Sequence, residues 1–239
     1  MSAAAERRLP RGRHGLSREA VRRAQRERLL AATAQVTARR GYEATTVADI
    51  LAAAGVGRES FYELFEDRRD CVLAAHQVLL DDLIEKVRAA YERPGEWVAR
   101  CRATLAALLD WFAADPLAGR FLLVELAAVG PEFHERFEAG FDRFVAVIDS
   151  GLPADLPNAA PLPATSLAVG AAISRVYGEV AAGRTEELRA LLPQLTYEVL
   201  VPFLGEDAAR RAAFAAAEGR PRRGAPQPSS RSATASRSA

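Results

Sequence analysis

A group of charged and hydroxyl side chains at residues 58–63 has the spacing to contact a nucleic acid. Arg58, Glu59 and Tyr62 project from one side of a short helix that we predict over residues 58–65. The apolar residues of this segment take the opposite side: Phe61, Leu64 and Phe65. The guanidinium fork of arginine matches the O6 and N7 acceptors of guanine. Arg58 is therefore the candidate for base contact, and contact with phosphate alone is the alternative.

Two carboxylates in the same segment, Glu59 and Glu63, would be repelled by phosphates. Each can accept a hydrogen bond from cytosine N4 or pair with a neighbouring arginine such as Arg58. For Glu63 we favour the ion pair.

A second short helix must lie immediately before this segment. Thr46 and Asp49 have the spacing of a capping box, which starts a helix, and Gly55 is the residue type that ends one. The apolar positions between them recur with helical spacing: Val47, Ile50, Leu51 and Ala54. Two helices joined by a short turn, with a polar outer face on the second, predict a helix-turn-helix, whose second helix enters a DNA major groove.

Longer helices flank this pair. Ser17 can open a first helix that runs to about Arg40 and ends at Gly41. Asp67 is a good N-cap for a further helix that runs to about Tyr91. This last helix links the helix-turn-helix to the rest of the chain.

These residues together resemble the DNA-binding domain of the TetR (tetracycline repressor) family over roughly residues 22–76. The matching positions are Leu29-Leu30, Gly41-Tyr42, Thr45-Thr46-Val47, Ile50, Ala54-Gly55-Val56, Tyr62-Glu63-Leu64-Phe65 and Arg68. The departures are Gly57 for a capping Ser, Thr37 for Phe, Arg68-Arg69 for Lys-Glu and Cys71 for Leu.

The resemblance implies which residues contact double-stranded DNA. Thr46 and Tyr62 stand at phosphate-contacting positions, and Arg68 replaces the lysine at the start of the fourth helix. The base-facing stretch comprises Gly57, Arg58, Glu59, Ser60 and Glu63.

Composition favours an all-α fold with a three-helix N-terminal helix-turn-helix domain and a larger helical C-terminal domain. Ala, Leu, Glu and Arg dominate the 239 residues, and strand-like alternation is nearly absent. The net charge of +1 is unevenly distributed. Residues 1–44 hold 11 Arg and 4 acidic residues, whereas residues 71–204 hold 11 basic and 18 acidic residues. The positive charge lies where DNA is expected.

We predict four regions along the chain: a flexible basic arm (1–17), the helix-turn-helix domain (18–70), a ligand-binding and dimerisation domain (71–204), and a short helix with a disordered basic tail (205–239). The arm is either a solvated tail or a segment that follows the DNA backbone or minor groove. Turn residues delimit five further helices at about 96–113, 116–128, 131–150, 164–182 and 185–204.

The family usually holds a small-molecule effector in the second domain. Aromatic residues and isolated polar residues are the candidates for the pocket: Trp97, Trp111, Phe121, Glu125, His134, Phe137, Arg175 and Tyr177. Core packing of the aromatic residues and solvent exposure of the polar ones are the alternatives.

The last two predicted helices, 164–182 and 185–204, resemble the pair that forms a four-helix bundle across a two-fold axis in this family. The resemblance therefore implies a homodimer. The leucines expected at its seam are Leu188, Leu191, Leu192, Leu195 and Leu200. The alternative is that these leucines close the core of a single chain.

Other classes of protein receive less support. Cys71 and Cys101 lack metal-site spacing, so we expect them to pack as small apolar groups and expect no metal or cofactor. No catalytic motif and no apolar run of membrane-spanning length is present, so we expect a cytoplasmic protein that is not an enzyme. We favour a dimeric, ligand-responsive repressor that binds a palindromic operator. The alternatives are a helical interaction or scaffold protein without DNA binding and an all-helical enzyme.

Overall fold

The computed structural model describes residues 17–125, 129–157 and 164–218. Helices and turns make up these ranges, and no strand occurs within them. The helices are α1 (Arg18–Arg40), α2 (Val47–Ala54), α3 (Arg58–Tyr62), α4 (Arg68–Tyr91), α5 (Trp97–Ala114), α6 (Pro116–Leu123), α7 (Pro131–Asp149), α8 (Ala164–Ala181), a 3₁₀ helix (Thr185–Leu191), α9 (Leu192–Leu204) and α10 (Glu206–Glu218). Residues 1–16 of the predicted arm (1–17) and residues 219–239 of the predicted tail lie outside the described residues.

The helix ends predicted for α1 and α2 are confirmed. The Ser17 hydroxyl accepts from the Ala20 backbone N–H at 3.1 Å and caps α1. Thr46 and Asp49 form the complete capping box at the start of α2. Gly55 ends α2 with φ +62°, the left-handed conformation that glycine adopts without a Cβ clash. Local sequence therefore determines where α2 begins and ends.

Helix α3 is shorter than predicted. It stops at Tyr62 rather than Phe65, although Phe61 and Phe65 are buried as expected. Residues 63 and 64 form a turn instead of continuing the helix, and Asp67 then caps α4 in an extended conformation.

Helix α4 joins two hydrophobic cores. Its first turns contribute Cys71 and Val72 to the helix-turn-helix core, and its later turns contribute Leu83 and Ile84 to the core of the second domain. The predicted apolar packing of Cys71 is confirmed, since the residue is fully buried. A shift of α4 would therefore change the packing of both cores.

The C-terminal helices differ from prediction in two places. Helix α6 ends at Leu123, earlier than the predicted 128. Over 185–204, where Pro193 and Pro202 predict a kinked or shorter helix, a 3₁₀ helix is followed by α9. Pro193 lies in the first turn of α9, where its missing N–H is tolerated.

The predicted leucine seam is wrong for three of its five leucines. Leu188, Leu195 and Leu200 are fully buried within a single chain. The first two share a core with Leu105 and Val176, and Leu200 shares a core with Cys101 and Ala168. They close the chain's own core, which was the alternative interpretation. Helical periodicity identified an apolar face but not the neighbour that covers it.

Candidate functional site

Three polar side chains of α1 hold the helix-turn-helix in place. Arg22 donates to the Glu63 carbonyl at 3.1 Å, and Gln25 donates to the Ser60 hydroxyl at 3.3 Å. Arg28 donates to the Ala54 and Gly55 carbonyls, both at 3.4 Å. These α1 residues recur every third position and face the same way. The sequence analysis missed them, although that spacing was a usable signal.

The outer face of α3 is open to solvent. Gly57, Arg58 and Glu59 are exposed, and Tyr62 is 51% exposed with its ring edge-on against the buried Phe61. Gly57 caps α3 without a side-chain hydrogen bond, as its replacement of serine predicts. This face can therefore approach a ligand as large as a DNA duplex without rearrangement of the helix.

The expected ion pair between Arg58 and Glu63 is absent from the part of the chain that the structure describes. The two residues are five positions apart, whereas helical neighbours that face each other are three or four apart. Glu63 is instead tied to α1 through its backbone carbonyl. Arg58 consequently keeps its guanidinium available, and this prediction for Glu63 was wrong.

Thr46 and Ser60 differ in how much of the side chain remains available. Thr46 is exposed, and its hydroxyl lies 2.7 Å from Asp49 Oδ2. The hydrogen bonds from the Thr46 side chain and backbone lower the pKa of Asp49, and an ion pair with Arg40 acts in the same direction. Ser60 is half-buried and already accepts from Gln25, so it faces α1 as much as the solvent.

Arg68 fastens α4 to the loop between α1 and α2. Its guanidinium lies over the Tyr42 ring, 4.3 Å from the ring centroid, and donates to the carbonyls of Tyr42 (3.0 Å) and Thr45. The side chain is half-buried. Arg68 is thus an internal connection as well as a candidate phosphate contact.

A capped helix α2, a left-handed glycine turn and an exposed α3 held on α1 define a helix-turn-helix DNA-binding protein. Residues 29–75 match the family model described as "Bacterial regulatory proteins, tetR family". Residues 29–75 therefore match the DNA-binding part of this family, and the protein is a DNA-binding transcriptional regulator.

Relatives and a solved structure agree with this assignment. An uncharacterized HTH-type transcriptional regulator of Lactococcus lactis subsp. lactis is 26% identical over 141 residues, which cover 54% of this chain and 68% of the relative. The HTH-type transcriptional activator FasR of Mycolicibacterium smegmatis is 31% identical over 97 residues, 41% of this chain and 44% of FasR. FadR from Bacillus subtilis in complex with stearoyl-CoA shares the fold, with a TM-score of 0.60, 17% identity, and coverage of 75% of this chain and 98% of FadR.

The second domain contains two adjoining apolar cavities. The His76 cavity, of about 40 Å³, lies among α4, α5, α6, α7 and α8, and Phe137 lines it. The Trp97 cavity, of about 60 Å³, lies further along the domain and is also lined by Val87. Three residues line both cavities: Leu108, Phe144 and Ile173. Both volumes are below the roughly 300–1,000 Å³ of typical ligand pockets, so a larger occupant has to displace side chains.

The structure brings only two of the eight predicted pocket residues to these cavities, Trp97 and Phe137. Trp111 is buried in the core of the second domain and its indole N–H donates to Asp82 at 2.7 Å, but it lines neither cavity. Phe121 is fully buried, but in the helix-turn-helix core. The prediction grouped aromatic residues that lie close together in the sequence. Side chains from adjacent faces of neighbouring helices can nevertheless pack into different cores.

The four remaining pocket predictions are also wrong. His134 has a 75% exposed side chain 3.2 Å from Glu138. Arg175 forms a 2.7 Å ion pair with Glu198, and Tyr177 is 46% exposed. These polar groups lie on solvated faces. Glu125, the fourth, is held at a junction between helices.

That junction connects α6 to α1. Arg120 donates through Nε to the Ala38 carbonyl at 3.2 Å and pairs through Nη2 with Glu125 at 2.8 Å. Phe121 packs beside it into the helix-turn-helix core. The second domain therefore reaches the DNA-binding domain through α6 as well as through α4.

His76 is the cavity residue that the sequence analysis missed. It lies on α4, is 2% exposed, and is surrounded mainly by apolar side chains. Burial lowers the pKa of its imidazole from 6.5 to about 4, and the charge of Arg136 adds to this effect. The ring is therefore neutral at physiological pH and can both donate and accept a hydrogen bond.

Helix α8 presents a continuous exposed face. Leu167 is 66% exposed, and the residues that follow it on the same side are small and also exposed: Ala171, Ser174 and Gly178. Small residues permit the close approach of another helix. This face, rather than the buried leucines, is available to a second chain.

Neither a membrane-spanning helix nor a metal-binding cluster occurs within the described ranges. None of the helices there has the length and hydropathy needed to cross a membrane. No cluster of three or more His, Cys, Asp or Glu with metal-binding geometry occurs in the same residues.

Proposed function

We propose that this protein is a homodimeric repressor that binds a palindromic operator and releases it when an apolar effector enters the second domain. The observation that carries the DNA-binding part is the exposed outer face of α3, with Arg58 unpaired among the described residues and Tyr62 half exposed. Arg58 then contacts a base edge, whereas Thr46, Tyr62 and Arg68 contact phosphates.

The exposed face of α8 supports the dimer. A helix-turn-helix reads a short half-site, and two copies related by a two-fold axis read two half-sites about one helical turn apart. Leu167 is a large apolar side chain that a monomer leaves in water, and a symmetric contact would bury it against the partner chain. The same symmetry requires a palindromic operator.

The adjoining cavities support the effector. FadR from Bacillus subtilis, which shows the same fold, forms a complex with stearoyl-CoA. In the present chain both cavities are apolar and lie against α4, and the His76 cavity also lies against α6; these two helices reach the DNA-binding domain. An effector that spreads these helices would change the spacing of the two α3 helices in the dimer. The coupling free energy between effector and operator binding equals the difference between the effector's binding free energies for the two arrangements of the dimer.

Operator binding is tested with a duplex selected from random sequence. We expect Arg58→Ala to cost about 1–3 kcal/mol on the selected duplex and little on random DNA. Tyr62→Phe should weaken binding to both duplexes equally and leave the salt slope unchanged, because a neutral hydroxyl releases no counter-ion when it contacts a phosphate. Arg210→Ala, which removes an exposed arginine of α10, is the matched control and should leave both affinities unchanged. Equal losses on both duplexes for Arg58→Ala would assign Arg58 to the phosphates.

The direction of regulation is tested in cells. Deletion of the gene should raise transcription from promoters that overlap the selected operator. A fall in transcription would instead indicate an activator, the activity named for the relative FasR. Both results leave DNA binding intact and differ only in the position of the operator relative to the promoter.

A further inference from the structure

Helix α6 places its two sides against different parts of the protein. Leu122 and Leu123 line the His76 cavity of the second domain. Phe121 is fully buried in the helix-turn-helix core, and the partly buried Leu117 packs against the same core. The helix-turn-helix domain is therefore attached to the second domain through α6 as well as through the continuous helix α4.

The polar part of the attachment through α6 joins three groups. Arg120 Nε donates to the Ala38 carbonyl in the last turn of α1 at 3.2 Å, and Arg120 Nη2 pairs with Glu125 Oε1 at 2.8 Å. The side chain of Glu125 is only 11% exposed. Its Oε2 atom lies against Gly41, the residue that ends α1, since a Cβ built on Gly41 would be 3.5 Å from this oxygen.

This arrangement brings a carboxylate to the C-terminal end of a helix. The terminal carbonyls of α1 carry partial negative charge, so a carboxylate is disfavoured there. The guanidinium of Arg120 removes this disadvantage, because it pairs with Glu125 and binds one of the terminal carbonyls. Removal of the guanidinium would leave the carboxylate against these carbonyls without its ion pair and would favour a shift of α1 away from α6. The Arg120–Glu125 pair thus fixes where this end of α1 lies.

The other end of α1 holds α3. Arg22 and Gln25 donate to the Glu63 carbonyl and the Ser60 hydroxyl, and the helices of the helix-turn-helix share one core. The distance along the helix axis from Arg22 to Ala38 is about 24 Å at 1.5 Å per residue. A swing of this unit by about 10° would therefore move one end of α1 by about 4 Å relative to the other, roughly the rise of one base pair.

We propose that Arg120 and Glu125 are positioning residues for operator binding, which set the separation of the two α3 helices in the dimer and hence the preferred spacing of half-sites. This inference rests on the proposed function, in that a dimer binds two half-sites. Both residues act through α1. They consequently affect the geometry between the half-sites and leave the contacts within one half-site unchanged.

The proposal is tested with two duplexes, one with two copies of the selected half-site and one in which random sequence replaces the second copy. The ratio of the two affinities measures how well both α3 helices fit at once, and partial unfolding does not change it. Arg120→Met keeps an unbranched side chain and removes the guanidinium. We expect it to lower the ratio at least about fivefold, the smallest loss typical of one mismatched base pair. The affinity for one half-site should stay at the wild-type value.

A second substitution tests the part played by Glu125. Adding Glu125→Gln to Arg120→Met removes the carboxylate that has lost its ion pair, so part of the ratio should be recovered. Arg143→Met is the matched control, because it removes a 2.7 Å ion pair with Asp81 that joins α7 to α4 inside the second domain. This control should keep the wild-type ratio. An equal fall in the ratio for Arg143→Met, or no recovery in the double variant, would overturn the proposal.

Failure of this inference can be told from failure of the proposed function. A wild-type protein that binds both duplexes equally well would contradict the palindromic operator, and this inference with it. A wild-type protein that prefers two half-sites, together with an Arg120→Met variant of the same ratio, would keep the proposed dimer and overturn the positioning role alone.

Discussion

The guanidinium of Arg68 lies 4.3 Å from the centroid of the Tyr42 ring and donates to the Tyr42 carbonyl. One side chain at the start of α4 thus closes the loop that leads into α2. A lysine could supply the charge but not the planar stacking and the paired donors. The substitution of arginine for the family's lysine therefore adds an internal contact to a position expected to contact phosphate.

Arg68→Lys should separate these two contributions. We expect a lower melting temperature, because the stacking and at least one carbonyl contact are lost, with the salt slope of DNA binding retained. Arg68→Ala should lower both the melting temperature and the salt slope of DNA binding. Calorimetry and salt titrations on one duplex measure the two effects. If Arg68→Lys kept the wild-type melting temperature, the stacking on Tyr42 would contribute nothing to stability.

Gly57→Ser should stabilise the protein slightly. Gly57 has φ −72°, and a Cβ built there meets no atom within 4 Å. A serine can therefore cap α3 and should add a few tenths of a kcal/mol to the free energy of unfolding.

Gly55→Ser is the control for that variant, because φ is +62° at this glycine. We expect a loss of about 1 kcal/mol from backbone strain. Urea unfolding of both variants measures the difference. A destabilised Gly57→Ser protein would contradict the capping argument.

Leu167→Glu should yield a folded monomer with weak operator binding, since a charge on the exposed face of α8 opposes its burial against a second chain. Val78→Glu, which alters a 46% exposed residue of α4, should remain dimeric. Leu188→Glu should unfold the chain instead, because Leu188 is fully buried. Sedimentation and circular dichroism distinguish these results. A wild-type protein that is monomeric at micromolar concentration would contradict the dimer itself.

Acid should destabilise the protein through His76. The unfolded imidazole titrates near 6.5, whereas the pKa of the folded one is lowered to about 4 by burial and by Arg136, with Asp81 acting in the opposite direction. As pH falls from 6.5 to 4, the unfolded state binds a proton that the folded state does not. The free energy of unfolding should therefore fall by about 3 kcal/mol over this window, and should not change on this account above it.

His76→Leu should remove that part of the pH dependence, because no imidazole remains to titrate. Urea unfolding at several pH values, with wild type and variant side by side, measures it. His134→Leu is the matched control: His134 is exposed, so its replacement should leave the wild-type profile in place. If the stability of His76→Leu fell with pH as steeply as that of wild type, the acid sensitivity would arise from groups other than His76.

Short-range sequence patterns predicted the helix-turn-helix. In the second domain, contacts between segments far apart in the sequence determine which side chains line the cavities, and these contacts cannot be recognised from local patterns. The caps at Thr46 and Asp67 involve residues three positions apart, so they can be recognised in sequence. Phe121 is different, because its burial depends on the packing of α6 against α1, a helix far away in the sequence. The neighbouring contact between Arg120 and Ala38 joins residues 82 positions apart. Helical periodicity specifies a buried face but not the core to which that face belongs.

Helix α3 has only five residues, too few to be stable as an isolated helix in water. Its order comes from α1, through Gln25 at its middle and Arg22 at its end. The outer face of α3 therefore loses its conformational entropy during folding rather than on contact with DNA. Binding to the operator should consequently show a small ordering penalty, and loosening of α1 would weaken affinity for every sequence without altering a single base contact.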